Sequence, residues 1–584
     1  MNTIKLFMWG YQHYFQTSVE CVAESIFTYL DKGLRPKVFL IGVLYEEKEN
    51  SYPICLQPED CGYYPEQFLK INDTALYLES TDEDNQIFHS HPIAQEIHER
   101  YIQNKSIKSA IEGILSELDK ESDTVSFCSM PIAVEGYMVC TVLQLNRKVS
   151  DSHYSLTNSI ADGRFSIDTS LINANVNVFL NACTKALTEP DPGLNLNVID
   201  RGAEELIRLA GKKLMYSPAF AGQEFTGLHG LFDACNMISS LKYEGEEGIG
   251  KMVISRCGHP NVNIALSLIS PVRITEYRAV RKLLELSSET FCLLSDSGYI
   301  YGFGQIDGYY HEKEEDLFII NFTKHYIWEL IHAGNVLMSV AYAQPQLHKQ
   351  RMDETKFKSD VCRIFKGISI DSVEELWKLV LKATEQKHGT MVVVSIGAKE
   401  EANRLAKQCT LIEPVRLTSE IMQQITGIDG AVLLGPDCIC YAIGVILDGL
   451  ASNKGTPSRG ARYNSAIRYV ESSSYPCLAI VISEDGSIDL LPNLMPQIHR
   501  SEILEAISNL KAVRNSSEIN VKEFNGVIKW FQDHKFYLIK DYCDEINELR
   551  KEIEEKMSDV NITIVYYDFI PNDEMNETYF YEES

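Results

Sequence analysis

Three short runs carry residue types that could do chemistry together. In Gly427-Ile428-Asp429-Gly430-Ala431-Val432-Leu433-Leu434 a carboxylate and two very small residues stand at the mouth of an apolar stretch. Small residues let backbone approach a ligand closely, and Asp429 can hold a divalent cation or activate a hydroxyl. About thirty residues on comes Lys454-Gly455-Thr456-Pro457-Ser458-Arg459-Gly460-Ala461-Arg462-Tyr463-Asn464-Ser465-Ala466. It joins glycine flexibility, four hydroxyl side chains and two arginines just before a helical stretch. Backbone N–H groups at a helix start and guanidinium forks are what a polyphosphate needs. The third run, Ser483-Glu484-Asp485-Gly486, ends a strand-like segment with two more carboxylates. Taken singly each run reads as a strand-entry Asp or a loop with surface Arg. Their order within one α/β stretch points to a site.

Other motifs fail on their chemistry. Gly245-Glu246-Glu247-Gly248-Ile249-Gly250-Lys251-Met252 fits a phosphate-binding loop until Met252, where a hydroxyl should reach Mg²⁺, and its two glutamates would face the phosphates. It reads as a glycine-rich turn between helix and strand. His89-Ser90-His91-Pro92 resembles the metal motif of zinc isopeptidases, but no aspartate box follows, and two histidines do not close a zinc site. A surface or packing role is expected. Gly302-Phe303-Gly304 lacks the third glycine of a dinucleotide fingerprint and reads as a β-turn.

The elements that must position the three runs lie in the third of four regions, an α/β multidomain order. Residues 1–150 alternate strand-like runs (38–45 and 133–143) with a helical stretch at 95–119, an α/β or α+β domain. The polar run 147–157 suits a linker or long loop. Residues 158–350 read as a second domain, with helices expected near 175–187, 276–286 and 326–340, and a boundary is expected near 344–353. Residues 366–500 give the clearest α/β order: a helix at 372–386, a strand at 389–396, another helix, strands at 430–434 and 439–445, and a strand at 477–483. Residues 501–584 read as a helical extension, including 540–556. Its end, 567–584, has six acidic and no basic residues and is expected to be solvated.

Composition excludes several classes. The 584 residues are 45% hydrophobic and 23% charged, the mix of a globular chain with ample core. Fifty-four basic against eighty-two acidic side chains leave a net charge of −28, unlike a protein built to hold duplex DNA. No run approaches the length of a membrane span, and the first residues lack the plan of a signal peptide. Fifteen scattered cysteines, with no zinc spacing, read as reduced thiols of a cytoplasmic protein; the closest pair, Cys438 and Cys440, reads as sharing one strand.

The stretch from about 372 to 492 resembles the diadenylate cyclase domain, whose hallmarks are an Asp-Gly-Ala run and a later Gly-Thr-Arg-His-Arg-Ala-Ala run. Asp429-Gly430-Ala431 matches the first fully. Gly460-Ala461-Arg462-Tyr463-Asn464-Ser465-Ala466 occupies the second and keeps its first arginine and the small flanking residues. Ser483-Glu484-Asp485 is similar to the family's Ser-Glu-Glu. Divergent branches of the family carry an Arg-Tyr-Asn version behind a separate sensor region, and the order here, with a large N-terminal part before the cyclase-like stretch, resembles that arrangement.

The resemblance implies a C-terminal α/β domain with a mixed sheet flanked by helices, and one nucleoside triphosphate (ATP or another) with Mg²⁺ or Mn²⁺ per domain. Two domains face each other, and each 3′-hydroxyl attacks the other nucleotide's α-phosphorus. By carry-over Asp429 and Arg462 are catalytic, and Asp429, Glu484 and Asp485 bind metal. Gly430 and Ala431 line base and ribose, and Thr456, Ser458, Arg459, Gly460, Arg462, Tyr463, Asn464 and Ser465 hold the nucleotide. The product expected is a cyclic dinucleotide second messenger, in bacterial signalling or phage defence, with synthesis controlled by the N-terminal region. Tyr463 and Asn464 replace a His and an Arg, which removes positive charge and leaves a linear or non-adenine product as an alternative. The rival reading is a non-catalytic nucleotide sensor on a degenerate cyclase fold.

Overall fold

The computed structural model describes residues 6–46, 51–161, 165–223, 230–288, 290–348, 354–384, 386, 389–450, 460–483, 488–516, 519–557 and 568–581. The chain divides into two compact units, Met1–His348 and Lys349–Ser584. No helix among the described residues is long and apolar enough to cross a membrane.

The N-terminal unit begins with an antiparallel sheet in the order Ile54–Gln57, Lys37–Leu44, Tyr137–Asn146, Thr124–Cys128. Its central strands are largely apolar because both faces are covered. Phe39, Ile41 and Val142 pack on Ile107 and Ile111 of the helix Pro92–Ser122, whereas Val38, Leu40 and Leu143 pack on Phe15 and Phe179 of the helices Gln12–Leu30 and Leu171–Leu187. The run expected as one strand over 133–143 is a hairpin. Ile132–Val134 folds back on Tyr137–Asn146 through Glu135 and Gly136, at φ 48° and 90°, the left-handed pair a two-residue turn requires. The expected linker at 147–157 opens with a short helix, Arg147–Ser152, because the Asn146 side chain caps it by accepting from the Val149 N–H at 3.0 Å. His89 and His91 are exposed at the start of the helix Pro92–Ser122.

An eight-stranded sheet follows in the order Gln344–Gln346, Asn335–Ala341, Ile327–His332, Leu317–Lys324, Gly250–Ser255, Cys292–Ser295, Tyr299–Ile306, Val262–Arg273. The helix expected over 326–340 is instead its second hairpin, reversed at Ala333 and Gly334 with φ 46° and 82°. Trp328, Leu330 and His332 alternate inward, a period of two that outweighs helix propensity. Gly302 and Gly304 also depart from the expected turn: they lie within Tyr299–Ile306 against a bulged neighbour. A Cβ there would meet the Leu266 and Asn263 carbonyl oxygens at 2.4 and 2.1 Å. The glycine run 245–252 is the expected turn, held by buried Arg281, which donates to the Glu246 and Leu241 carbonyls at 2.8 and 3.0 Å.

The C-terminal unit holds six strands, β1 (Thr390–Ser395), β2 (Thr410–Arg416), β3 (Ala431–Leu434), β4 (Ile439–Val445), β5 (Cys477–Ile482) and β6 (Ile488–Leu491). They pair in the order β2-β4-β3-β1-β5-β6, with β1 and β3 parallel and the other neighbours antiparallel, a mixed sheet. Its helices are α1 (Glu354–Ile364), α2 (Ile370–Ala383), α3 (Ala398–Arg404), α4 (Ser419–Ile425), α5 (Ala461–Ser472), α6 (Arg500–Asn515), α7 (Val521–Asp533) and α8 (Lys540–Met557). One face of the sheet packs Val392, Val432 and Ile480 on Phe357 of α1 and Leu376 and Val380 of α2. The other packs Val393, Leu433 and Ala479 on Ala402 of α3 and Ala466 and Tyr469 of α5. Strands β2 and β6 are additions to the sequence reading, and the single helix expected between the strands at 389–396 and 430–434 is two, α3 and then α4, which ends just before Gly427. Cys438 is not in β4: it sits in the turn before it at φ 63°, and only Cys440 is in the strand. Burial pushes these thiols up to about 12 and about 11; all fifteen cysteines are free.

Helices α6, α7 and α8 close on a core of their own, with Leu510, Ile528 and Ile546 at its centre. The acidic tail, expected to be solvated, docks there over its described residues 568–581. Tyr579 and Phe580 are buried, and the Arg363 and Arg500 guanidinium groups lie 4.5 Å from their ring centres. Two buried rings and two cation–π contacts offset the cost of ordering an acidic segment.

Candidate functional site

Asp429 is the last but one residue before β3, and Gly430 makes the turn into the strand at φ 104°. A Cβ on Gly430 would come within 2.6 Å of the Gly444 carbonyl carbon on β4. Gly444 is itself at φ 60°. Two facing glycines therefore give a wall of bare backbone, open to close approach by a ligand. Met391 of β1 and Val481 of β5 add apolar floor to the same cavity, which has a volume of about 780 Å³. That is within the range of small-molecule sites.

Helix α5 brings the second run to this cavity. Gly460 is its N-cap residue, and the next backbone N–H groups have no partner within the helix itself. Arg462 Nη2 donates to Asp429 Oδ1 at 3.1 Å across thirty-three residues of chain. The Asp429 side chain is 91% exposed and that of Arg462 37%, so the pair is held by position more than by energy. Deeper contacts fix the helix. Buried Tyr469 of α5 donates its hydroxyl proton to Glu401 Oε2 of α3 at 3.0 Å. Glu401 also accepts from Arg404 Nη2 at 2.8 Å, and Arg404 Nη1 donates to Asp448 Oδ2, just past β4, at 2.7 Å. The hydrogen bond from Arg404 holds the Asp448 carboxyl below its ordinary range, while burial and then the Glu401 charge push the Tyr469 phenol up. Gly449 completes the clamp, since a Cβ there would lie 2.5 Å from the Arg468 backbone. The exit of β4 and the body of α5 are thereby tied to one helix.

Of the residues singled out by sequence, Asp429, Gly430, Gly460, Arg462, Tyr463 and Ser465 border this one cavity. Ala431 is fully buried in β3, opposite Val445 and behind the wall. Asn464 turns its amide back to the Gly460 carbonyl at 3.3 Å. Thr456, Ser458, Arg459, Glu484 and Asp485 lie outside the described residues. Sequence reasoning missed Gly444 and Asp489, which border the cavity too. A lone glycine inside the strand pattern of 439–445 was the available signal for the first. Asp489 sits on β6 opposite Val481; a carboxylate within a short apolar strand offers little by itself.

Among the described residues no three His, Cys, Asp or Glu side chains gather as a metal centre. The cavity does border on two carboxylates, Asp429 and Asp489. One or two carboxylates completed by substrate phosphates and water is the donor set that Mg²⁺ accepts, so the residues present fit a hard divalent ion.

Residues 379–493 match the family model described as DisA bacterial checkpoint controller nucleotide-binding. Residues 8–215 match a model described as the probable sensor domain DACNG, and 229–334 one described as the probable sensor domain DACNH. No curated protein matches the chain. Among solved structures, DacA from Staphylococcus aureus, a double mutant, is 18% identical over 21% of this chain and 83% of its own, with a TM-score of 0.18. A hypothetical membrane spanning protein from Bacillus cereus is 22% identical over 22% of this chain and 64% of its own, also at 0.18. The chain thus carries, in its C-terminal unit, a divergent nucleotide-binding domain of the diadenylate cyclase family, behind two N-terminal domains of the DACNG and DACNH sensor types.

Proposed function

We propose that the C-terminal unit is a nucleotidyltransferase that joins two nucleoside triphosphates into a dinucleotide, cyclic when both linkages form, and that the N-terminal unit controls it. The observation that carries this reading is the meeting of Asp429 and Arg462 at a cavity walled by glycine backbone. In each linkage a 3′-oxygen bonds to the α-phosphorus of the facing nucleotide, the bond to the β-phosphate bridge breaks, and pyrophosphate leaves while the hydroxyl gives up its proton.

The chain's own groups serve that step by position and charge. Gly430 and Gly444 let base and ribose lie against backbone. The first turn of α5 and the Arg462 guanidinium take the phosphates, with Ser465 beside them. Arg462 exchanges Asp429 for phosphate when the nucleotide enters, which frees the Asp429 carboxylate for the 3′-hydroxyl side. Asp429 and Asp489, with Glu484 and Asp485, would hold Mg²⁺ or Mn²⁺, which supplies positive charge against the phosphates and lowers the pKa of the attacking hydroxyl. Tyr463 and Asn464 leave this site with less positive charge than the common family pattern, which keeps a linear or non-adenine dinucleotide as the alternative product.

The test is incubation of the full chain with Mn²⁺ or Mg²⁺ and each NTP and dNTP, with products read by mass spectrometry. A cyclic or linear dinucleotide plus pyrophosphate is expected. Saturable nucleotide binding with no product from any pair would establish the rival reading, a nucleotide sensor without catalysis.

A further inference from the structure

We infer that the N-terminal unit binds an organic cation in the cavity beside its Glu135–Gly136 turn. The inference rests on the reading of that unit as the sensor, and names the chemistry it senses. The cavity has a volume of about 1000 Å³, room for an organic molecule of considerable size. Six aromatic rings border it: Phe7, Trp9, Tyr11, Tyr45, Tyr52 and Tyr137.

The floor is built without a ligand. Trp9 and Tyr137 are buried, and each polar atom is tied down: Trp9 Nε1 donates to the Pro192 carbonyl at 2.7 Å and the Tyr137 hydroxyl to the Tyr52 carbonyl at 3.1 Å. Gln12, wholly buried, fixes the backbone that leads into Trp9. Its Oε1 accepts from the Met8 and Trp9 N–H groups at 2.6 and 3.2 Å, and its Nε2 donates to Gln57 Oε1 at 2.9 Å. A floor held this way loses little entropy when a ligand arrives. Tyr11, Tyr45 and Tyr52 are 41, 54 and 48% exposed, so their ring faces are open at the rim.

Charge selects the ligand. Glu135, Glu189 and Asp191 border the cavity. The one basic side chain among the described lining residues, Arg100, is engaged by Glu96 at 2.8 Å. An anionic ligand would meet carboxylates, whereas a cation meets both those carboxylates and the electron-rich faces of the rings. The site therefore suits an ammonium or related organic cation with an apolar body.

The experiment titrates the full chain by calorimetry with 2-phenylethylammonium, its neutral counterpart 2-phenylethanol, and the anion 3-phenylpropionate. Saturable one-to-one binding of the cation is expected, with the neutral compound about 10-fold weaker or worse and the anion silent. Tyr45→Leu and Tyr52→Leu keep apolar bulk at exposed positions and should each weaken the cation by roughly 3- to 30-fold. Glu189→Gln combined with Asp191→Asn should weaken it further and reduce its salt dependence. Three results would overturn the inference: no saturable binding of the cation, equal affinity for the neutral or anionic compound, or unchanged affinity in both tyrosine variants. The readout is heat of binding and not dinucleotide formation, so its failure leaves the transferase reading standing, and a failed transferase assay leaves this site standing.

Discussion

At the scale of single residues, the site depends on one carboxylate and one guanidinium that meet but do not hold each other firmly. Because Asp429 is 91% exposed, its charge contributes little to folding and is available to a ligand. Asp429→Asn should remove product formation by at least about 100-fold, the order seen when one well-placed charged or donor group is lost from a reacting site. The same variant should unfold within about 0.5 kcal/mol of the parent, as surface substitutions do. Near-normal turnover in that variant would exclude Asp429 as the catalytic carboxylate. Arg462 is judged by binding instead. Arg462→Ala should weaken triphosphate affinity by roughly 10- to 150-fold, the value of a hydrogen bond to a charged group. The loss should shrink as salt rises, because a guanidinium this exposed is screened. Titration calorimetry at two ionic strengths measures both.

Elements carry these residues, and their constraints are testable apart from catalysis. Gly430 combines φ 104° with a space already filled by Gly444, so Gly430→Ala should cost about 2–4 kcal/mol of C-terminal-unit stability in urea unfolding. Gly460 has nothing within 4 Å of its ideal Cβ, and Gly460→Ala should cost less than about 1 kcal/mol. In the eight-stranded sheet, His332 is fully buried between the Tyr154 and Tyr310 hydroxyls, 2.7 and 3.2 Å from its ring nitrogens. Burial lowers its pKa, so the unfolded chain takes up the proton first. Stability of the N-terminal unit should therefore fall as pH drops below about 6.5, and His332→Gln should flatten that slope. How legible such elements are depends on how local their causes are. The apolar runs of β1, β3, β4 and β5 state their burial directly, and Asp429-Gly430-Ala431 announces a strand entry because only glycine takes that φ. The hairpin at 327–341 did not show, because its turn is Ala333-Gly334 and its polar outer positions resemble the polar face of a helix. β2 is mostly exposed, and β6 is only four residues long with a carboxylate inside it, so neither shows as a clear apolar run. The glycine contact between β3 and β4 and the approach of Arg462 to Asp429 are products of pairing across the sheet, which no local pattern encodes. The docking of Tyr579 and Phe580 was concealed by the acidic residues around them.

For the whole molecule the deciding question is whether one chain can act alone. Each linkage in the proposed reaction takes its hydroxyl from one nucleotide and its phosphorus from another, and the described residues of the C-terminal unit bring one Asp429 and one Arg462 to the candidate cavity, which the proposal gives one triphosphate. Two copies must then meet; residues 349–584 carry 27 basic and 37 acidic side chains, a formal charge of −10, so the encounter of two such units is opposed over a distance of about a Debye length. The 349–584 fragment should accordingly bind triphosphate at any concentration but turn over poorly when dilute, its rate per chain rising with protein concentration. Moderate salt should help by screening repulsion, until it begins to weaken the phosphate contacts, which gives the rate an optimum in ionic strength where binding alone shows only decline. Fusing the fragment to an unrelated dimeric partner should restore the rate at low concentration by raising the effective concentration of the second site. Specific activity that stays constant over a hundredfold dilution, in a sample that light scattering shows to be monomeric, would exclude facing sites and require both nucleotides to fit one cavity.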